Sequence, residues 1–354
     1  MQFENVISPE KYRQMIPWNK LDGRVLLLTG ATGLIGSTLI CFLADCCKKQ
    51  QISVKVVAVV RDLARANRLF AEQLQSGFDL TFLLGDVEHP IEVSGPVDYI
   101  VHAASQTSSQ AFVQTPVETI RTALTGTENL LRLAADKKVS GMVYLSSMEV
   151  YGAPDTDRKI TEHEPTDLDT MVIRNSYPES KRMCESLCAA YAGEYGVPVK
   201  VLRLTQTFGP GVNYQDKRVF AEFARCALEG RDIVLHTLGK TKRNYLFTQD
   251  AATAILVALL SDVAGEAYNA ANEDTYCSIY EMAELVAQHA AAAPIQVRCE
   301  VADDLNQYGY APTLHMNLDT AKLRALGWAP QVGLLESYQR MIRWMQEQAP
   351  AEKQ

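Results

Sequence analysis

A doubly wound parallel α/β sheet with a smaller C-terminal lobe is the fold class this sequence predicts. Three observations carry that prediction. Short apolar runs alternate with helical stretches over residues 24–204, the pattern of successive βαβ units. A glycine-rich turn joins the first apolar run to the first helical stretch. Beyond Gly209-Pro210 the alternation loosens, which sets apart a second, less regular lobe.

Arg24–Thr29 (RVLLLT) follows Asp22-Gly23 and is apolar almost throughout, as a strand buried on both faces must be. Leu34–Cys47 is an apolar helical stretch, Val54–Val60 (VKVVAVV) a second buried strand, and Leu63–Leu74 an amphipathic helix. Leu80–Leu84 and Asp98–His102 are the third and fourth strands, Thr119–Ala135 a helix and Gly141–Ser146 the fifth strand. Tyr177–Tyr195 is a long helix that stops at Gly196 with Pro198 just beyond, and Val199–Leu204 is the sixth strand. In the second part, Val219–Leu228, Asp250–Leu260, Ile279–Ala291, Leu318–Leu326 and Ser337–Gln346 are expected helices. The division is an N-terminal extension over 1–23, a main domain over 24–205 and a lobe over 206–354, with segments around 230–262 returning to the main domain. Phe3–Trp18 is expected to form a helix packed on the main domain or at a subunit contact.

Of the 354 residues, 47% are hydrophobic and 21% charged, enough apolar surface to bury a sizeable core. The formal net charge of −8 argues against a nucleic-acid or anionic-membrane partner. No basic start followed by an apolar run suggests a signal peptide, and no stretch approaches a membrane span. The eight cysteines have neither the pairing of a zinc site nor the density of a disulfide scaffold, so no metal is expected. Cys184 and Cys188 share one helix face and read as small buried hydrophobes. A reduced, cytoplasmic protein is the expectation.

In the turn Thr29–Gly36 (TGATGLIG), glycines at 30, 33 and 36 permit a tight bend, close approach of backbone to a pyrophosphate and close helix–strand packing. The helix start then presents free N–H groups and a positive dipole end to phosphate. Tyr177 and Lys181 stand four apart on one helix face. A phenol titrates near 10, so a neighbouring ammonium and a positively charged nicotinamide, which favour the phenolate, are expected to lower it toward working pH. Ser146–Gly152 (SSMEVYG) follows a strand some 30 residues before Tyr177. An acidic residue at the end of the second strand would bind a ribose hydroxyl, whereas an arginine would suit a 2′-phosphate. Here Val60-Arg61-Asp62 supplies both, so NAD is expected with NADP as the alternative.

These three motifs, in this order and spacing, resemble the extended short-chain dehydrogenase/reductases, a family of nucleotide-sugar epimerases, dehydratases and decarboxylases. The resemblance runs from about residue 24 to about residue 345. It implies a Rossmann-type NAD(P)-binding domain over 24–205 and a nucleotide-sugar substrate. It also implies a homodimer through Thr119–Ala135 and the Tyr177–Tyr195 helix. The cofactor residues it implies are Gly30, Thr32, Gly33, Leu34, Ile35 and Gly36 in the turn, then Arg61 and Asp62, Asp86 and Val87, Ala103 and Ala104, with Tyr177 and Lys181 at the reactive end. Ser147, Tyr177, Lys181 and Glu149 are the implied catalytic residues, and Ser105, Ser147, Met148, Gln206 and Arg243 the implied substrate contacts.

Several positions depart from the family pattern. Met148 stands where the best-known dehydratases carry an acidic residue and decarboxylases a serine. Ala123 replaces an asparagine that commonly supports the lysine, and Asn306–Pro312 lacks the second phosphate-binding arginine. The expected mechanism is transient oxidation of a sugar carbon with Tyr177 as base. A 4-epimerase ranks first, with a dehydratase or decarboxylase close behind. A reductase of a small carbonyl compound is the alternative, and a silent cofactor-binding protein is the third reading.

Overall fold

The computed structural model describes residues 10, 12, 14–301 and 313–352, the last four as backbone. Seven parallel strands make the central sheet: β1 (Arg24–Thr29), β2 (Val54–Val60), β3 (Leu80–Leu84), β4 (Tyr99–His102), β5 (Gly141–Ser147), β6 (Val199–Leu204) and, later in the chain, Glu266–Ala270. Their order places Glu266–Ala270 at one edge, followed by β6, β5, β4, β1, β2 and β3. The chain winds outward from β1 to β3, then crosses over and winds the other way from β4. A cleft therefore opens between β1 and β4 at the carboxyl ends of the strands, the position where such sheets bind ligands.

The unbroken apolar runs have a simple cause. Leu26, Leu28, Val56, Ala58, Val101 and Leu145 face one core, while Leu27, Val57, Val59, Ile100 and Tyr144 face another. Both sides of the sheet are covered, so alternation along a strand separates two apolar layers rather than core from water. Helix Thr248–Leu260 is buried along its whole length in the first layer. Helices Pro116–Lys137 and Ser176–Tyr195 cover the second.

The second lobe has its own core, built from Phe208, Phe220, Phe223, Tyr245, Met282, Tyr338 and Met341 among others. Its small sheet joins β7 (Gln206–Phe208), β9 (Lys242–Phe247), β11 (Asn272–Ser278) and β13 (His315–Met316); β8 (Ile233–Leu235) pairs with β12 (Val297–Cys299), and Glu266–Ala270 is β10. A small apolar cluster of Met148, Val150, Tyr151, Ile160, Ala271, Met316 and Leu318 lies where the two parts meet.

Some elements differ from their sequence-based outlines. The stretch 63–74 is two short helices, Leu63–Leu69 and Ala71–Gln75, because the backbone breaks at Phe70, whose ring is fully buried. Only Ala321–Arg324 is helical within 318–326, since Leu318 is drawn into a bridge with Ile160. Of the N-terminal segment, Tyr12, Ile16 and Trp18 are buried in the main core, with Tyr12 edge-on to Phe42 at 5.8 Å. The Tyr12 hydroxyl donates to the buried Asp250 carboxylate at 2.9 Å, tying the N-terminal segment to helix Thr248–Leu260.

Candidate active site

Gly30 has φ +70°, and a Cβ there would lie 2.6 Å from the carbonyl of Ala103 and the amide of Ala104. A Cβ on Gly36 would lie 2.3 Å from the Gly30 oxygen. The turn is thus folded against β4 and against its own helix so closely that only hydrogen fits at these two positions. Thr29 Oγ1 and His102 Nδ1 are 2.7 Å apart, and the Ala104 amide donates to the same hydroxyl at 3.3 Å, which pins the ends of β1 and β4 together. Helix Leu34–Gln50 starts from this turn with no side-chain cap, leaving its first N–H groups for an anionic ligand. The cradle fits the pyrophosphate of a dinucleotide.

Farther along the cleft, Arg61 immediately follows β2, and its guanidinium lies 3.7 Å from Asp86. Asp62 caps the next helix by accepting from the Arg65 amide at 2.9 Å. Val87 is buried and packs so close to Gly126 that a Cβ there would meet its Cγ2 at 2.9 Å.

The reactive end is built around Tyr177, which is 8% exposed. The Ser147 hydroxyl, which accepts from the Glu149 amide at 3.2 Å, lies beside its phenol. Burial drives the phenol well above its ordinary range and the Glu149 carboxylate adds to this, whereas the Ser147 hydroxyl and Arg174 pull the other way. The ammonium by itself does not bring about the lowered phenol expected from ammonium and nicotinamide together. The reason is positional: the Lys181 ammonium sits under the ring face, 5.8 Å from its centroid, and donates to the Leu145 carbonyl at 2.7 Å instead of reaching the phenol. That backbone bond supports the lysine from β5. Ala123, where the family commonly has asparagine, lies near this face and offers its carbonyl to Cys184 at 3.3 Å.

Burial also pushes Lys181 down to about 8. An unfolded lysine titrates near 10.4, so between those values the unfolded chain keeps a proton the folded chain releases. The cost of burying the ammonium is therefore fully present below about pH 8 and fades as pH rises toward 10.4, and its ceiling is about 3 kcal/mol. Lys181→Met should melt at a higher temperature than the parent at pH 7, with the advantage shrinking through pH 8–10, although it loses activity. Parallel thermal melts over that range check this. A variant less stable at pH 7 would mean that the bond to Leu145 outweighs desolvation.

Glu149 accepts from the Arg174 guanidinium at 2.8 Å, and Arg174 lies over the Phe112 ring, 5.0 Å from its centroid. Phe112 in turn stacks on Tyr177 at 4.2 Å between centroids and 10° between planes. Phe112 belongs to no motif in the sequence, and only the fold brings the helix Ser109–Gln114 against Ser176, whose hydroxyl donates to the Phe112 carbonyl at 3.0 Å. Arg174 opens the segment Arg174-Asn-Ser-Tyr177, whose sequence resembles that of the family's decarboxylases.

Among the implied substrate contacts, Ser105 is half-buried after β4, and Gln206 opens β7 opposite Tyr245. Arg243 lies on β9 with its Nε buried and without a hydrogen-bond partner among the described residues. Met148 is 6% exposed; its sulfur accepts from Thr205 at 3.3 Å within the apolar joint between the two parts. The structure therefore gathers Ser147, Glu149, Tyr177 and Lys181 but turns the Met148 side chain into packing. Tyr151 of the same motif anchors the joint, donating to Asn269 at 2.6 Å and accepting from Arg203 at 2.8 Å. Asn306–Pro312 lies outside the described residues.

Comparison with known proteins extends this picture. The model described as the NAD dependent epimerase/dehydratase family matches residues 26–271. The chain is 29% identical over 341 residues to UDP-glucuronic acid decarboxylase 1 of Xenopus tropicalis, covering 96% of this chain and 76% of that protein. It is 24% identical over 347 residues to dTDP-D-glucose 4,6-dehydratase of Homo sapiens, covering 94% and 93%. Among solved structures, the dTDP-glucose 4,6-dehydratase DesIV of Streptomyces venezuelae, with NAD and TYD bound, superposes with a TM-score of 0.77 at 27% identity over 92% of this chain and 98% of that one. The UDP-glucose 4-epimerase of Thermotoga maritima shares the fold, with a TM-score of 0.73 at 20% identity over 92% and 99%.

Proposed function

This chain belongs to the NAD dependent epimerase/dehydratase family, and from that premise we propose that it transforms a nucleotide-linked sugar by transient oxidation, with loss of carbon dioxide from a uronic acid as the outcome. The glycine cradle, Ala103, Ala104 and Lys181 would hold the family's cofactor, NAD. When bound, the nicotinamide supplies a hydride acceptor and a positive charge beside the phenol. Tyr177 takes the proton from a sugar hydroxyl as hydride leaves the same carbon, and Ser147 holds the oxygen. Lys181 keeps a positive charge under the tyrosine ring. Oxidation at the carbon β to a carboxylate yields a β-keto acid. The carbon–carbon bond to carbon dioxide then breaks and its electrons enter an enolate. That enolate takes up a proton at carbon, and hydride returns to the ketone, so the cycle is redox-neutral.

The observation that carries this outcome is the burial of Met148. Dehydration needs an acid to protonate a departing hydroxyl, and a thioether packed between the lobes has no proton to give. Loss of carbon dioxide from a β-keto acid needs no such acid. The decarboxylase relatives point the same way, with six further members of that name from Danio rerio and Arabidopsis thaliana matching 88–95% of this chain. The test incubates the protein with NAD and, in parallel, UDP-glucuronic acid, UDP-glucose and dTDP-glucose, with products read by mass spectrometry. Release of carbon dioxide from UDP-glucuronic acid is expected. A product short of one water would overturn it in favour of dehydration, and an isomer of unchanged mass would restore the 4-epimerase.

A homodimer and a cytoplasmic setting complete the reading. Helices Pro116–Lys137 and Ser176–Tyr195 pack on each other and leave Val117 67% and Met183 54% exposed, apolar surface suited to the same two helices of a second copy. Sedimentation should give a dimer that Val117→Glu with Met183→Glu converts to monomer. No described helix is long and apolar enough to cross a membrane.

A further inference from the structure

The groups around the phenol form a closed circuit of contacts: we infer that Arg174 is a positioning residue for Tyr177, holding the Phe112 ring against the phenol and keeping the Glu149 charge from acting on it unopposed. The inference rests on the reading of Tyr177 as the base and not on which sugar is transformed.

Four segments meet here. Tyr177 stands in the first turn of helix Ser176–Tyr195, and Arg174 in the 3₁₀ turn Ile173–Asn175 just before it. Glu149 comes from the 3₁₀ turn Met148–Tyr151 after β5, and Phe112 from helix Ser109–Gln114. The Arg174 guanidinium donates to the Glu149 carboxylate at 2.8 Å, and its carbon lies 5.0 Å from the centre of the Phe112 ring, which itself stacks on Tyr177. The Glu149 amide donates to the Ser147 hydroxyl at 3.2 Å, which closes the circuit beside the phenol. A guanidinium suits this place because it is planar: its N–H groups meet a carboxylate while its plane lies over an aromatic ring. The electrostatic part follows from sign. A carboxylate near a phenol disfavours the phenolate, and a cation paired with that carboxylate offsets it. At Tyr177 burial has the largest effect and raises the phenol, Glu149 raises it further, and Arg174 lowers it. The other titratable groups facing the phenol are Lys181, under its ring from the same helix, and Tyr144 of β5, whose ring centre lies 4.7 Å from the Lys181 ammonium. Neither is altered by replacing Arg174 or Glu149, so the pair can be tested against a constant background.

Both members of the pair are about one-third exposed, 35% for Arg174 and 33% for Glu149, so replacing them should leave folding intact. The experiment incorporates 3-fluorotyrosine, loads the protein with NAD and follows the fluorine resonance of residue 177 as pH is raised, the resonance being assigned by its loss in Tyr177→Phe. Arg174→Gln leaves the Glu149 charge unopposed, so the phenol is expected to titrate at higher pH than in the parent. Glu149→Gln leaves the guanidinium unopposed, and the phenol should titrate at lower pH. The two changes together should return it close to the parent's value, a pattern of signs that general loosening of the site does not produce. Turnover by Arg174→Gln should be about tenfold slower at pH 7. Because the phenolate is the form that takes the proton, that deficit should close as pH rises past both titrations. Phe112→Leu keeps the ion pair and removes the stack, so it should slow turnover at every pH without moving the titration. A phenol that titrates at the parent's pH in Arg174→Gln, or shifts of the same sign in both single variants, would overturn the inference. Release of carbon dioxide with the titrations unmoved would leave the proposed function standing without it. Titrations that move as expected, in a protein that turns over no nucleotide sugar, would uphold the inference and remove the proposed function.

Discussion

Tyr177→Phe should keep its fold and bind the cofactor yet turn over the nucleotide sugar about 10³-fold more slowly, within the range that a positioned acid–base group contributes. The substitution removes one oxygen. The ring keeps its stack on Phe112 and its place above Lys181, so packing is nearly unchanged. What disappears is the phenol oxygen proposed to take the proton from the sugar hydroxyl. Single-turnover measurement of cofactor reduction, beside a calorimetric binding curve, separates the two effects. A rate close to the parent's would remove Tyr177 from the role of base. A rate loss that tracked weakened binding would make it a positioning residue for the cofactor.

Gly36→Ala should be among the most damaging glycine-to-alanine changes in the described residues. Its Cβ would fall 2.3 Å from the Gly30 oxygen and 2.8 Å from Ala31 Cα, and both are backbone atoms that no side-chain rotation can clear. The turn must open, at a cost of about 3 kcal/mol if the strain is at the upper end of ordinary overpacking. Paid at the moment of binding, that is about 100-fold in cofactor affinity. Gly33→Ala is the internal control. Its Cβ meets the Gly30 oxygen at 3.3 Å, and the residue has φ −81°, which any residue adopts. Its affinity should change several-fold at most. Equal losses in the two variants would show that flexibility, rather than close approach of helix to turn, is what the glycines provide.

Much of the site was legible because its chemistry imposes spacing along the chain. A helix brings residues four apart to one face, which is why Tyr177 and Lys181 could be paired without coordinates. A strand followed at once by a helix must turn through glycine, which is why Gly30 and Gly36 stood out. The strands were readable as apolar runs because both faces of the sheet are covered, and the two apolar layers in the structure explain why no polar alternation interrupts them.

Other features depend on where separate segments meet, and spacing carries no record of that. The stack of Phe112 on Tyr177 joins residues 65 positions apart by packing the short helix Ser109–Gln114 against the start of helix Ser176–Tyr195, and nothing in the local sequence marks it. The direction in which Tyr177 is shifted also belonged to the tertiary structure. Sequence placed an ammonium one helical turn away, but burial outweighs a lysine that bonds to a backbone carbonyl, which leaves the lowering of the phenol to the nicotinamide's charge. Met148 is adjacent in sequence to two proposed catalytic positions, yet a 3₁₀ turn at Met148–Tyr151 sends its side chain into the joint between the lobes. The sequence by itself determined the fold class, the glycine cradle and the serine, tyrosine and lysine, because each is dictated by local periodicity or by a turn. Only the tertiary structure decided which groups neighbour them and which charges are desolvated, because burial and contact are set by residues far apart in the chain.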